Sequence, residues 1–182
     1  MLFRSSLVAI GADPLPLEPD DRVDGWQLVH LPGHADGHLC LLRDGVLIAG
    51  DAILGSISPV VGLYPDSSAD PLGDYLGSLE RIVRLAPRVA LGGHGAVIED
   101  PPARAHELIA HHADRLERTL AALDDRPRTG FDASLELFPN LPTSAQRRFA
   151  LSETCAHLEH LALRGQARRV VEDGFVRYAT AA

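Results

Sequence analysis

The sequence predicts an α/β (α+β) fold in two parts, and three observations carry that prediction. Short β-branched segments punctuated by glycine come first. Two stretches with helical spacing of apolar residues follow, one after Asp70 and one after Asp100. The last part of the chain then orders itself as helix, helix and small β-hairpin.

Leu7–Ile10, Trp26–Leu31, Leu39–Arg43 and Val46–Ala49 are the expected strands, bounded by Gly25, Gly33, Gly37 and Gly45. Asp44-Gly45 joins the last two as a tight hairpin, because glycine tolerates the positive φ of a primed turn. A loop rich in Gly, Pro and Ser runs from Gly55 to Asp70. Leu72, Tyr75, Leu76, Leu79, Ile82, Val83 and Leu85 then recur at helical spacing, with Asp70 as N-cap and Pro71 at the first helical position. Arg88–Leu91 is a further strand, and Gly92-Gly93-His94-Gly95 is the loop that leaves it. Pro101–Leu123 is again helical, with Ala105, Leu108, Ile109, Leu116, Leu120 and Leu123 on one side.

Asp124–Gly130 is polar and contains Pro127, which makes it the expected boundary between a domain of residues 1–123 and one of residues 124–182. Beyond it a short helix is expected around Asp132–Phe138 and a longer one from Thr143-Ser144. Strands Ala167–Glu172 and Phe175–Tyr178 follow, joined at Asp173-Gly174. Two helices and a hairpin in that order describe a small winged helix-turn-helix.

Charge narrows the functional classes. The 182 residues carry a formal charge of −8, and all 17 basic residues are arginine. That balance argues against a broadly nucleic-acid-binding surface. Residues 1–142 hold 21 acids against 11 arginines, whereas residues 143–182 hold four against six, so the tail presents a different surface. Arg147, Arg148, Arg164, Arg168 and Arg169 give that tail a modest positive face, read as solvated or as packing beside the cleft in preference to nucleic-acid contact. Cys40 and Cys155 follow no C-x-x-C spacing and are read as buried small hydrophobes. Met1–Ile10 has no apolar region of signal-peptide length, and no run is long enough to span a membrane, so the cytoplasm is the expected compartment.

Nine histidines are many for this length, and their placement matters more than their number. His34, Asp51 and His94 each sit where a predicted strand gives way to a loop, in Pro32-Gly33-His34, Gly50-Asp51 and Gly93-His94-Gly95. Strand ends line such groups along one rim of a sheet, and the adjacent glycines let backbone pass close to a buried centre. Neutral imidazoles with one carboxylate suit Zn²⁺, Mn²⁺ or Fe²⁺. His106, His111 and His112 fall along one helix and are read as surface residues. Tyr64-Pro65-Asp66-Ser67-Ser68, in the loop after Asp51, is a place for substrate recognition or simply a loop.

The run from Val29 to His38, containing Pro32-Gly33-His34-Ala35-Asp36-Gly37-His38, then Ile48-Ala49-Gly50-Asp51, then Gly93-His94-Gly95, resembles the third, fourth and fifth motifs of the metallo-β-lactamase superfamily. From about Trp26 onward the chain is similar to that superfamily's lactamase-β-like protein 2 branch. The resemblance implies His34 as a ligand of a first metal, Asp51 as the carboxylate bridging two metals, and His94 as a ligand of the second. His38 would stand behind the ligands, and His30 would be structural. Two divalent ions, zinc first among the candidates, would serve a hydrolase whose metal-bound hydroxide attacks an ester, a thioester or a phosphodiester.

The superfamily's first motif, H-x-H-x-D-H, does not occur in these residues. It normally lies upstream and supplies the remaining His and Asp ligands, so each ion here would meet one imidazole and a shared carboxylate, which makes a weak site. The chain is therefore expected to be the C-terminal half of an αββα sandwich followed by the winged helix. An inner sheet face should stand uncovered, and a complementing N-terminal half or a second copy would be the partner. A small-molecule ester or thioester is the expected substrate, with no membrane partner. Two alternatives stand beside this: a catalytically silent remnant acting as a binding module, and part of an RNA-processing nuclease.

Overall fold

The computed structural model describes residue 18 and residues 20–181, so the strand expected at Leu7–Ile10 lies outside the described residues. β1 (Arg22–Val23), β2 (Trp26–His30), β3 (Leu39–Arg43) and β4 (Val46–Gly50) form an antiparallel meander. The chain then crosses through helix α1 (Pro71–Leu85) and returns as β5 (Val89–Gly92), which pairs with β4 in parallel. β1 was not expected from the sequence. Its hairpin turns at Asp24-Gly25, where φ is 50° and 81°, the same device as Asp44-Gly45 at 50° and 76°.

Alternation along these strands separates two sheet faces. Val29, Cys40, Leu47, Ala49 and Ala90 point to one face and pack beneath Leu72, Tyr75, Leu79 and Ile82 of α1 and Ala105 and Leu108 of α2 (Pro101–Ala121). All of them are essentially fully buried, each large side chain contributing roughly 1.5–3 kcal/mol. On the opposite face Ile48 pairs with Leu41 on one side and Leu91 on the other. Ile48 and Leu91 remain 38% and 39% exposed, so this apolar face stands partly open.

The remaining elements are β6 (Arg128–Thr129), α3 (Gly130–Leu137), α4 (Ser144–Leu163), β7 (Ala167–Glu172) and β8 (Phe175–Thr180), with strands in the order β6-β8-β7. The helix, helix, hairpin order matches the expectation, and Asp173-Gly174 makes the hairpin turn with φ of 52° and 80°. α3 begins two residues earlier than the sequence suggested. Thr129 and Asp132 form a reciprocal capping box that places the N-cap at Thr129. Leu123, Ala133, Leu158, Leu161, Ala167 and Tyr178 form a second core.

α4 is buried on more than one side, since it packs against α1, α2, α3 and β7. Ser152, Thr154, His157 and His160 are buried along it and bond backbone or side-chain acceptors nearby. Asp70, the N-cap of α1, accepts from Gly73 N at 2.8 Å, His160 Nδ1 at 2.8 Å and Arg164 at 3.0 Å. Among the described residues, no helix is long and apolar enough to cross a membrane.

Candidate metal centre

β2, β4 and β5 run in the same direction, so the ends at which His34, Asp51 and His94 leave them share one rim of the sheet. The three predicted residues are brought together there. His34 Nε2 stands 3.7 Å from Asp51 Oδ2, and His94 Nε2 stands 3.7 Å from Asp51 Oδ1. Each imidazole thus faces a different oxygen of one carboxylate.

Local structure explains each placement. The loop bearing His34 is closed by Leu31 N donating to the His38 carbonyl at 2.9 Å and by His30 Nε2 bonding the Asp36 carbonyl at 2.6 Å. Ser78 of α1 donates to the Pro32 carbonyl at 2.7 Å. Gly33 lies so close to Tyr75 that a Cβ would collide with the helix backbone, and its φ of 124° is one that side chains rarely adopt. β4 ends in a register irregularity between Ile48 and Gly50, after which Asp51 leaves the sheet. His94 sits in the loop spanned by the paired hydrogen bonds between Ala90 and Ile98, both 2.9 Å.

Hydrogen bonding sets the protons. His34 Nδ1 donates to the Val60 carbonyl at 2.8 Å, so in the neutral ring the Nε2 lone pair faces Asp51. An imidazole held from behind by a carbonyl is the orientation a metal ligand requires. His38 Nε2 donates to the Ala49 carbonyl at 2.9 Å and so braces the end of β4 without facing the carboxylate through that atom. The Val60 carbonyl carried no sequence signal, because backbone contributes it.

Asp51 Oδ1 is buried and has no hydrogen-bond partner. A carboxylate with one buried oxygen orphaned, facing imidazole nitrogens at 3.7 Å that are acceptors in the neutral ring, is a donor set that fits a cation between the groups. Gly93 adds to the fit, since a Cβ there would collide with Asp51 Oδ1. The two sides differ in access: the His94 side chain is 71% exposed and that of His34 31%. Among the described residues no three His, Cys, Asp or Glu side chains gather closely enough to hold one ion.

Beside His34 opens a cleft of about 930 Å³. Its walls are the segment from Gly33 to Leu39 and the loop around Tyr64, so the loop noted in the sequence does line the space next to the rim.

One histidine and one cysteine expectation are corrected. His112 is fully buried, not on the surface, and the sequence reasoning missed the cluster it forms with His157 and Tyr75. Its Nδ1 lies 3.2 Å from His157 Nε2, while His157 Nδ1 bonds the Glu153 carbonyl at 2.8 Å. Burial pushes His112 down to about 3, with repulsion from His157, His111 and Arg115 adding to it. Burial likewise pushes His157 down to about 4, against the bond to the Glu153 carbonyl and with Arg115 adding to it. Both are therefore neutral. Cys40 is buried as expected, whereas Cys155 is only half-buried.

The family model for the metallo-β-lactamase superfamily matches residues 17–94, and that for the metallo-β-lactamase-like C-terminal domain matches residues 116–181. This chain belongs to the metallo-β-lactamase superfamily. Among curated relatives, it is 31% identical over 147 residues to the probable metallo-hydrolase YqjP of Bacillus subtilis, covering 78% of this chain and 46% of that protein. It is 33% identical over 108 residues to the β-lactamase-like protein 2 homologue of Drosophila melanogaster, covering 59% and 34%. A crystal structure of a metallo-β-lactamase family protein from Thermus thermophilus superposes with a TM-score of 0.81 at 44% identity, covering 93% of this chain and 55% of that one. The chain thus spans about a third to a half of the length of these relatives.

Proposed function

We propose that this chain contributes His34, Asp51 and His94 to a two-metal hydrolase centre. One observation carries the proposal: a single carboxylate stands between two imidazoles, each 3.7 Å from a different oxygen. His34 would hold one ion, His94 the other, and Asp51 both, with zinc the first candidate. Divalent metal held there would polarise a carbonyl or phosphoryl oxygen and make a water nucleophilic near neutral pH.

The chain's own residues do the preparatory work. Val60 fixes the tautomer of His34, His38 braces the strand end before Asp51, and the exposed side of His94 leaves room for substrate. The substrate class is an ester, thioester or phosphodiester. We read residues 1–123 as the part that carries the centre and residues 124–182 as a winged-helix appendage. The open face around Ile48 and Leu91 is the surface on which a complementing sheet would complete an αββα sandwich.

A second reading, a catalytically silent binding module, is favoured by the ligand count: one imidazole on each side of Asp51 among the described residues. Cobalt titration decides between them. Visible absorption that rises to two ions per chain, with one ion lost in His34→Gln and the other in His94→Gln, supports the hydrolase centre. Absence of saturable cobalt binding contradicts it.

A further inference from the structure

β7 is an open edge of its sheet. Among the described residues it pairs with β8 alone, in the order β6-β8-β7, and its six residues include no proline and keep an unbroken register. An edge of this length presents backbone donors and acceptors to any strand that meets it. Which groups face outward follows from the hairpin. Asp173-Gly174 is a two-residue turn with φ of 52° and 80°, so Glu172 and Phe175 beside it exchange hydrogen bonds. Alternation then turns the backbone groups of Arg168, Val170 and Glu172 towards β8 and those of Arg169 and Val171 outward. Thr180 N, opposite Ala167, agrees with this phase, since it donates away from β7 to the Asp124 carbonyl at 3.0 Å. Among the described residues, no turn, loop or cap bond reaches the outward groups of Arg169 and Val171.

The side chains along this edge are complementary to themselves. Arg168 is exposed and, among the described residues, in no ion pair. Glu172 is exposed too, and Arg177 Nε stands 3.8 Å from it, too far for a hydrogen bond. Val171 between them is 62% exposed. A second copy of β7, laid antiparallel on this edge about a twofold axis at Val170, pairs Arg169 of each copy with Val171 of the other through the outward backbone groups. Arg168 then falls opposite Glu172 at both ends and Val170 opposite itself, in the positions where side chains approach most closely. An axis at Arg169 would set that arginine against itself. An axis at Val171 would run Arg168 into the Asp173-Gly174 turn. Charges on an edge strand commonly keep other strands away, but these select one register.

We propose that β7 is an interaction surface for a second copy of this chain, which joins the two β6-β8-β7 sheets edge to edge into one continuous sheet about a twofold axis. The contact is a single strand wide, so the dimer is weak and reversible. It uses neither the rim of His34, Asp51 and His94 nor the open face around Ile48 and Leu91, and it stands independently of the hydrolase reading.

The test is sedimentation velocity of the full chain over a concentration series, for the wild type, Arg168→Glu, Glu172→Arg and an equimolar mixture of the two variants. The wild type is expected to pass reversibly from monomer to dimer. Each variant alone opposes like charges at both ends of the pairing and should associate at least about tenfold more weakly. The mixture should return to wild-type strength, because every mixed interface again sets an acid against a base at both ends. Val171→Pro removes an outward N–H, spares the ladder with β8 and should also weaken association, with a circular dichroism spectrum like that of the wild type. Three results would each overturn the proposal: a wild type that stays monomeric at millimolar concentration, a mixture that associates no more tightly than its components, or a dimer that none of these substitutions weakens. The last is what a contact through the Ile48 and Leu91 face would give.

Discussion

His160 Nδ1 of α4 donates to Asp70 Oδ1 at 2.8 Å, and that same oxygen caps α1 through Gly73 N. One carboxylate therefore ends a helix of the first part and binds a helix of the second, with Arg164 on its other oxygen at 3.0 Å. Burial alone would raise the Asp70 pKa, but the bonds from His160, Gly73 and Arg164 and the charge of His160 hold it below its ordinary value.

Removing this carboxylate should loosen both parts together. Asp70→Ala loses an N-cap, worth about 1 kcal/mol, and leaves the buried His160 without its acceptor, a further 1–3 kcal/mol or so. Urea unfolding should show a single transition weakened by about 2–4 kcal/mol. A loss below about 0.5 kcal/mol would mean that the capping geometry contributes little.

The His112–His157 pair predicts the acid behaviour. Both folded pKa values, about 3 and about 4, lie below the ordinary 6.5. Above pH 6.5 the two states bind the same protons and the pair has no effect on stability. As pH falls from 6.5 towards 4, the unfolded chain takes up protons that the folded chain refuses, so stability drops by up to about 1.4 kcal/mol per pH unit for each group. His112→Leu should remove one proton from that slope, read from urea midpoints between pH 6.5 and 4.5. An unchanged slope would show that His112 is not a neutral buried group.

Gly33 and Gly93 should fail in different ways. Gly33→Ala meets both the α1 backbone and an unfavourable φ, so a loss of about 3 kcal/mol in stability is expected. Gly93 has no positive φ, and its Cβ would meet only the Asp51 carboxylate in close collision. Gly93→Ala should melt within a few degrees of the wild type and bind zinc more weakly. Equal destabilisation by the two substitutions would contradict the assigned contacts.

Much of this architecture was legible in the sequence where a local device fixes structure. Asp70-Pro71 and Thr143-Ser144 start helices where expected, and Asp44-Gly45 and Asp173-Gly174 turn hairpins. Asp24-Gly25 carried the same signal and went unread, because its strand β1 is only two residues long. His112 was misplaced for a physical reason. Its helix is amphipathic towards the first sheet, and the contact that buries His112 comes from α4, whose polar and small residues give no periodic apolar stripe. The rim bearing His34, Asp51 and His94 was legible because loops after same-direction strands meet at one edge. The carbonyls of Val60 and Ala49 that orient the imidazoles were not, since any residue type supplies them.

Asp51 is the group that the two imidazoles share. Equilibrium dialysis against zinc, comparing the wild type with Asp51→Asn, tests it most directly, because the amide keeps the shape and removes the charge. The expected result is saturable binding by the wild type that weakens at least about tenfold in the variant. Equal zinc binding by both proteins would contradict the account.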